Sequence, residues 1–454
     1  METHDLGAAA KVWMLCLAVA VSPGQAPDAA RAEEWPSWRG PTGDGICTET
    51  NVPVTWSAGE NIVWKTPIPG KGHSSAIVWG DRVFVTSADK RRRTRLLLAV
   101  DRTTGKILWQ RTVLTARPEK IHRLNSLASS TPATDGKHVW VTFLDVEKVI
   151  VVCYDMAGQE IWRHSPGRFT AMHGFCSSPL LYKDLVIINA DQDATGADRA
   201  YIVALAKATG KERWRTDRPN RVRSYVPPVV FTAAGKDQMV LSGSKCTASY
   251  DPRTGKQHWI VDGPTEQFVA SMVHTDGMFM ITGGFPTLHT LGIRPDGAGN
   301  VTRSHVAWHI RGKAASYVPS PIAAGKHFFL VSDKGTASCI EARTGKVIWQ
   351  ERLGRHHSAS PVSAEGRLYF LDDAGVTFVL DAAPTFRLIA KNALQEACFA
   401  SPAISRGRIY IRALKNLYCI GRQAAHPDRG RSVGQGAVPE GRSLAAVVQR
   451  PQQG

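Results

Sequence analysis

The sequence predicts an all-β fold, an eight-bladed β-propeller of four-stranded antiparallel blades, because two signals repeat along it. The first signal is the pattern Ala-x-Asp-x-x-Thr-Gly-Lys-x-x-Trp, which is intact over residues 99–109 and recurs in degraded copies. The second signal is Ser-Pro followed by two apolar strands, which recurs about every 40 to 56 residues. Repeats at such a period are typical of rings and arrays of small sheets.

Each copy of the first pattern describes a strand, a tight turn and a second strand. The Asp can accept backbone N–H groups at the start of the turn, and the Gly supplies the positive φ that a tight hairpin needs. The Trp can pack against the neighbouring sheet while its indole N–H finds an acceptor. We therefore interpret the repeated residues as scaffold: Asp101, Gly105, Trp109, Trp162, Gly210, Trp214, Gly255, Trp259, Gly345 and Trp349.

The Ser-Pro signal marks the first strand of each repeat. Its aligned positions are Ala76, Pro132, Pro179, Pro228, Met272, Pro321, Pro361 and Pro402. The alternating apolar residues that follow, as in Arg367–Leu371, indicate half-buried strands. Together the two signals give eight repeats of four strands, which we label A to D.

The closure of the ring follows from the two ends of the repeat array. A strand of D type at residues 61–65 precedes the first A strand, and the last repeat ends after its C strand, Asn416–Ile420. We expect the N-terminal strand to complete the last blade, because this closes the ring and removes its exposed edges.

The repeats divide the chain into four parts. Residues 1–32 resemble a secretory signal, with Lys11 before an apolar run and a small-x-small cleavage site at residues 30–32. Residues 33–60 form a turn-rich arm whose tryptophans pack on the propeller, and residues 61–422 form the propeller itself. Residues 423–454 have the composition of a disordered basic tail. We expect an exported, soluble, monomeric protein in the periplasm or cell envelope, without a membrane span once the signal is cleaved.

The net charge bears on the possible partners, and the cysteine positions bear on disulfides and metal sites. The net charge of +17 favours an anionic envelope surface, while no nucleic-acid-binding motif accompanies it. The repeats place the cysteines on blades that are not neighbours, which argues against disulfides. No Cys-x-x-Cys occurs, which argues against structural zinc.

The repeated Asp-x-x-Thr-Gly-Lys-x-x-Trp motif resembles the PQQ-like β-propeller superfamily, which includes quinone-dependent alcohol dehydrogenases and the outer-membrane assembly lipoprotein BamB. Residues 35–45 (WPSWRGPTGDG) are similar to the N-terminus of exported BamB-like proteins of planctomycete-type bacteria. The resemblance spans about residues 33–422 and implies an exported, non-catalytic scaffold that holds an envelope protein partner through one rim. It implies no catalytic residue, cofactor or metal.

Two other functions stay open at this stage. One is a quinoprotein alcohol or sugar dehydrogenase, in which the resemblance implies pyrroloquinoline quinone and calcium in the central funnel. This chain lacks the adjacent-cysteine pair of many such enzymes and the Cys-x-x-Cys-His of a cytochrome extension. The other is the binding of a polysaccharide or small ligand in the funnel.

Candidate binding residues lie in the D-to-A loops, which share one rim with the B-to-C loops. They are His73, His173, Tyr225, Tyr317, His356 and His357. Histidines can bind metals or transfer protons, and tyrosines can stack on sugars. Because each blade contributes separately, we favour polar loop residues over a shared site. Adjacent residues of an extended strand also point to opposite faces, so His356 and His357 need not act together.

Overall fold

The structure is a computed structural model, and it describes residues 34–422 of the 454-residue chain. The expected signal segment and basic tail lie outside the described residues. Within them the secondary structure consists of 34 strands arranged in eight sheets. The predicted all-β, eight-bladed propeller is confirmed.

The strands follow one another without helices over residues 34–422. The first fourteen are β1 Ile46–Cys47, β2 Ile62–Pro67, β3 Ile77–Trp79, β4 Arg82–Asp89, β5 Thr94–Asp101, β6 Ile107–Thr115, β7 Ala133–Thr134, β8 His138–Asp145, β9 Lys148–Asp155, β10 Glu160–Arg168, β11 Leu180–Tyr182, β12 Leu185–Ala190, β13 Tyr201–Ala206 and β14 Glu212–Asp217. The next nine are β15 Val229–Ala233, β16 Lys236–Gly243, β17 Cys246–Tyr250, β18 Gln257–Asp262, β19 Val273–Thr275, β20 Met278–Gly283, β21 His289–Ile293, β22 Gly299–Asn300 and β23 Val306–Arg311. The last eleven are β24 Ile322–Ala324, β25 His327–Val331, β26 Thr336–Glu341, β27 Val347–Arg352, β28 Val362–Ala364, β29 Arg367–Leu371, β30 Val376–Asp381, β31 Leu388–Ala393, β32 Ala403–Ser405, β33 Arg408–Arg412 and β34 Asn416–Ile420.

Each blade is a four-stranded antiparallel sheet. Blades 1, 2 and 3 are β3–β6, β7–β10 and β11–β14; blades 4 and 5 are β15–β18 and β19–β21 with β23; blades 6, 7 and 8 are β24–β27, β28–β31 and β32–β34 with β2. The A-to-B and C-to-D turns lie on one rim, which we call the turn rim. The D-to-A and B-to-C connections lie on the opposite rim, the loop rim.

Ring closure follows the prediction from the sequence. Strand β2 pairs antiparallel with β34 as the outer strand of blade 8, with Trp64 opposite Cys419 and Thr66 opposite Leu417. The chain therefore closes its ring with main-chain hydrogen bonds between its first and last blade strands, so that blade 8 has four strands like the other blades.

Burial explains why these segments form strands of a propeller. The second strand of blade 3, Leu185–Ala190, is buried along its whole length because both faces pack on neighbouring sheets. The outer strand of the same blade, Glu212–Asp217, alternates between exposed and half-buried residues. This gradient from continuous to alternating hydrophobicity is expected when sheets pack face to face around an axis.

The seams between blades use the repeated Trp and Gly. Trp162 of blade 2 donates its indole N–H to the carbonyl of Lys207 in blade 3, at 2.8 Å. Its ring lies against Gly210, where φ is +70° and an added Cβ would come within 2.5 Å of the indole. Equivalent indole bonds join Trp64 to Arg102, Trp109 to Met156, Trp308 to Ala342 and Trp349 to Ala383.

The seam between blades 4 and 5 departs from this pattern. Blade 5 has no Thr-Gly-Lys turn, and its C-to-D loop instead forms β22, which pairs parallel with the outer strand of blade 4. Trp259 is fully buried there, and its indole N–H donates to Oε1 of Gln238 in its own blade. Backbone pairing thus takes the place of the indole bond at this seam. Blade 7 also carries an extra strand, β1, which pairs parallel with β28.

The N-terminal arm crosses the turn rim. Trp35, 1% exposed, pairs its backbone with Val78 of blade 1. The buried Arg39 donates from Nη2 to the carbonyl of Pro321 in blade 6, at 2.6 Å. Trp38 lies between these two anchors, and it lines the channel that leads to the loop rim.

All cysteines among the described residues are free, and most are buried. Over residues 34–422, no helix is long and apolar enough to cross a lipid bilayer.

Candidate functional site

The D-to-A loops surround a cavity of about 340 Å³ at the centre of the loop rim, which we call the central cavity. Five of the six candidate residues line it: His73, His173, Tyr225, Tyr317 and His356. These five come from different blades and are up to 283 positions apart (356 − 73), so the ring alone brings them together.

The sixth candidate, His357, does not join the cavity. Its side chain is fully buried, its ring lies 6.3 Å from that of Phe378, and both ring nitrogens lack a hydrogen-bond partner within the described part of the chain. Burial lowers the pKa of His357 to about 4, with a smaller contribution from the charge of His356. His357 is therefore packed beside the central cavity and does not line it. The extended backbone directs neighbouring side chains to opposite sides.

One wall of the central cavity is made of His73 and Phe399. Their rings stack with centroids 4.7 Å apart. Burial lowers the pKa of His73 to about 4, and nearby Arg412 and Lys71 lower it further. At neutral pH this wall is therefore an uncharged aromatic surface rather than a cationic one.

A second wall contains His122, His173 and Tyr225. The His122 and His173 rings meet edge to face at 5.3 Å, and the His173 and Tyr225 rings lie 6.0 Å apart. Burial is the main cause that lowers the pKa of His173 and raises the pKa of Tyr225. Asn125 fixes the histidine loop, because its Nδ2 donates to the His173 carbonyl at 2.7 Å. This wall is aromatic as well, and the shifts of His173 and Tyr225 both favour their uncharged forms.

The third wall of the central cavity is formed by Tyr317, Val318 and His356, and two carboxylates support it. Asp333 accepts hydrogen bonds from the backbone N–H groups of Tyr317 at 2.7 Å and Val318 at 3.1 Å. Asp373 lies 2.5 Å from Nδ1 of His356 and accepts the backbone N–H of Ser358 at 2.7 Å. Both carboxylates therefore hold the D-to-A loops in place.

Below the cavity, the Ser or Thr residues that precede seven of the eight aligned positions form a belt of hydroxyl groups. The Ser75 N–H donates to Oγ1 of Thr131 at 2.9 Å, so that blade 1 is linked to blade 2. The same 2.9 Å bond joins Thr131 to Ser178, Ser271 to Ser320, Ser320 to Ser360, and Ser360 to Ser401. The belt is interrupted at Pro227, which has no N–H and no hydroxyl.

The donor set of the central cavity does not fit a calcium-held quinone. Calcium takes six to eight oxygen ligands, several of them carboxylates. Of the described residues that line the cavity, Asp333 alone carries a carboxylate, and its two oxygens accept backbone N–H groups. Residues 34–422 also contain no group of three or more His, Cys, Asp and Glu placed to hold a metal ion.

A second hollow of about 580 Å³ lies on the loop rim between blades 5 and 6, and we call it the outer cleft. One side is the B-to-C loop of blade 5 with Phe285 and Pro286, and the other is the outer part of blade 6 with Arg352. Tyr317 and Asp333 line both the outer cleft and the central cavity, so the two hollows are neighbours.

Several of these residues were missed from the sequence. The hydroxyl belt had a visible signal, since Ser or Thr precedes most of the aligned Pro positions. Asp333 and Asp373 also had one, because they occupy matching B-to-C turns, Ser332 to Gly335 and Asp372 to Gly375. His122 and Phe399 lie in D-to-A loops without a recurring motif, so only the ring geometry identifies them.

Comparison with known proteins places the chain in a family. The sequence matches the family model described as outer membrane protein assembly factor BamB over residues 47–143, 147–284, 296–388 and 333–431. BamB of Burkholderia pseudomallei is 29% identical over 104 residues, which are 23% of this chain and 26% of that protein. The match thus spans about a quarter of the length of this curated relative.

The solved structure of a BamB protein shares the fold at low sequence identity. BamB from Moraxella catarrhalis superposes with a TM-score of 0.54 and 12% identity, covering 80% of this chain and 98% of that one. Quinohemoprotein alcohol dehydrogenase from Comamonas testosteroni gives a TM-score of 0.46 and 13% identity, covering 89% and 83%. Because the family model covers more than half of the sequence, the chain belongs to the PQQ-repeat β-propeller family described as outer membrane protein assembly factor BamB.

Proposed function

We propose that this protein is an exported, non-catalytic scaffold of the cell envelope that binds a protein partner through its loop rim. Its family is described as an outer membrane protein assembly factor. A closed ring of eight blades gives a rigid platform, and binding through a rigid surface loses little conformational entropy.

The unequal covering of the two rims is the observation that carries the proposal. The arm crosses the centre of the turn rim, held by the backbone pairing of Trp35 with Val78 and by the bond from Arg39 to Pro321. The loop rim has no such cover among the described residues, and the central cavity and the outer cleft open there. The turn rim also has a hollow, of about 600 Å³, but residues of the arm such as Trp38 and Thr42 form part of its wall. Met172 and Phe285 are exposed apolar side chains on the loops of this rim.

The chemistry of the central cavity supports a scaffold over an enzyme. Asp333 and Asp373 bind backbone N–H groups, so their oxygens serve the loop structure. His73 and His173 have lowered pKa values because they are buried, which makes them part of an aromatic wall. Apart from His356, whose Nδ1 lies 2.5 Å from Asp373, the described lining of the cavity therefore offers shape and apolar surface rather than acid–base groups.

Site-specific cross-linking tests the choice of rim. A photo-reactive amino acid would be placed at Met172 or Phe285 on the loop rim, and at Lys256 on the turn rim as the matched control. We expect protein adducts in envelope preparations from the two loop-rim positions only. Adducts from Lys256 alone, or from none of the three, would contradict the proposal.

A titration of the full-length protein with pyrroloquinoline quinone and calcium tests the competing enzyme function. We expect neither a change in quinone absorbance nor a shift in Tm at micromolar quinone, because the cavity lacks the oxygen donors for the calcium ion. Stoichiometric binding would overturn the scaffold proposal and favour a dehydrogenase.

A further inference from the structure

The outer cleft combines unpaired positive charge with exposed apolar surface. Lys313, Lys334 and Arg352 line it and are exposed. Among the described residues, none of their three side chains takes part in an ion pair or a side-chain hydrogen bond. Some exposed arginines elsewhere on the blades are paired, as Arg163 is with Glu160 and Arg215 with Glu212.

The negative charge of the cleft is already engaged. Asp333 is the single carboxylate in the described lining, and both its oxygens accept backbone N–H groups of the neighbouring loop. Three cations therefore face one carboxylate, which leaves a net charge of +2 (3 − 1) along the walls. Such a surface attracts anionic groups and speeds their association.

The opposite side of the cleft is apolar. Phe285 is 52% exposed at the tip of the B-to-C loop of blade 5, and Pro286 and Leu288 continue the surface towards the buried Ala314 and Ala315. A large exposed aromatic side chain beside a cleft is typical of an anchor point for a bulky apolar residue.

The volume and the position of the outer cleft favour an extended peptide as its ligand. The cleft volume of about 580 Å³ lies within the range of about 300–1,000 Å³ that is usual for ligand sites. The cleft runs from the outer strand of blade 6 at Arg352 to Tyr317, which also lines the central cavity, so a bound chain would point from the edge of the ring towards its axis. Apolar contacts along one wall and cations along the other match a peptide in which acidic and bulky apolar residues alternate.

We propose that the outer cleft binds an acidic, extended segment of the protein partner. Carboxylates of the segment pair with Lys313, Lys334 and Arg352, and an apolar side chain covers Phe285. This assignment rests on the proposed scaffold function and adds the surface and the chemistry of the partner to it.

Fluorescence anisotropy with the full-length protein tests the assignment. The probe is a labelled short peptide of alternating glutamate and leucine, and its matched control has glutamine in place of each glutamate. We expect the acidic peptide to bind at least tenfold more tightly than the glutamine peptide, and the difference to shrink as salt is raised.

Charge-reversal variants locate the binding. We expect K334E and R352E each to weaken binding of the acidic peptide about tenfold, while K256E on the turn rim makes the same change in net charge and leaves binding unchanged. All three side chains are exposed, so Tm is expected to stay constant. Equal losses from K256E would overturn the assignment, since they indicate a response to overall charge. Absence of peptide binding would overturn it as well.

A third probe separates the peptide from an acidic sugar polymer. If oligogalacturonate binds in a K334E-sensitive manner and the peptide does not, the peptide assignment is overturned. Cross-linking from Met172 distinguishes a failure of this assignment from a failure of the scaffold function. Adducts at Met172 that persist in K334E and R352E would leave the scaffold in place and exclude the cleft as its docking site.

Discussion

Along the turn rim, successive seams reuse one set of contacts, whereas along the loop rim each blade contributes a different side chain. Trp162 meets Gly210 and the Lys207 carbonyl as Trp109 meets Gly158 and the Met156 carbonyl. The central cavity instead takes His73, Tyr225 and His356 from unrelated loops. The difference separates the residues that hold the ring together from those that give it a binding surface.

The loop rim also has a buried ion pair at the seam between blades 3 and 4, which we call the buried staple, and its loss is the largest effect we expect. Arg218 and Asp191 form an ion pair at 2.9 Å, with both side chains 0% exposed. Arg218 also donates to the Tyr250 hydroxyl at 2.6 Å and to the Gly243 carbonyl at 3.1 Å. We expect Arg218→Met to lower the free energy of unfolding by about 3–5 kcal/mol, because Asp191 is left buried without its partner.

Denaturant unfolding of Arg218→Met, with Arg163→Met as the control, measures this effect. Arg163 pairs with Glu160 at 2.6 Å, but these side chains are 37% and 39% exposed. Arg163→Met also removes one positive charge, but we expect it to lower the free energy of unfolding by at most about 1 kcal/mol, because solvent screens the exposed pair. Similar losses in the two variants would contradict a special role for the buried staple.

On the turn rim, the largest expected effect comes from the Gly that receives the Trp ring. In Gly210→Ala the alanine would have to adopt a φ of +70°, and its Cβ would lie 2.5 Å from the indole of Trp162. We expect it to lower the free energy of unfolding by about 2–4 kcal/mol, from the left-handed backbone and from overpacking together.

Gly235 provides the control for that substitution. Its φ of +73° is nearly the same, but an added Cβ meets nothing within 4 Å. Gly235→Ala is therefore expected to cost only the backbone contribution, about 1–2 kcal/mol. If thermal unfolding shows equal losses for the two variants, the Trp ring does not confine Gly210, and the seam model for the turn rim is wrong.

The contrast between the rims also explains how much was predictable from the sequence. The turn rim repeats its residues, so Trp64 before the first blade and Asn416–Ile420 at the end of the last sufficed to predict ring closure. The side chains that line the central cavity follow no such repeat. That His73 and Tyr225 share a cavity depends on how the ring closes, which local sequence does not encode. Strand β22 was not predictable either, because it replaces a turn motif that blade 5 lacks.

The burial of His357 beside the loop rim predicts that the stability of the protein depends on pH. Its pKa is lowered to about 4 by burial, against 6.5 for a free histidine. Between these values the unfolded chain takes up a proton that the folded protein does not, so stability falls as the pH falls from 6.5 towards 4. We expect His357→Phe to be about 2 kcal/mol more stable than the wild type at pH 4.5, and nearly equal to it at pH 7.5. The free energy of unfolding of both proteins would be measured across this pH range. If the difference between the two proteins stays constant, His357 is protonated as easily in the folded protein as in the unfolded chain, and it must then be in contact with water.

The smallest expected effect separates the indole bond from the packing of the Trp ring. Trp162→Phe removes the 2.8 Å bond to the Lys207 carbonyl and keeps an aromatic ring against Gly210. Trp214→Phe removes an equivalent ring that packs on Gly255, but the Trp214 Nε1 has no hydrogen-bond partner in the described residues. Because both lose similar apolar area, the difference between their free energies of unfolding isolates the bond, and we expect Trp162→Phe to be about 1 kcal/mol the more destabilising. A larger loss from Trp214→Phe would mean that ring packing alone holds the seams, and that the repeated carbonyl acceptors follow from the turn geometry.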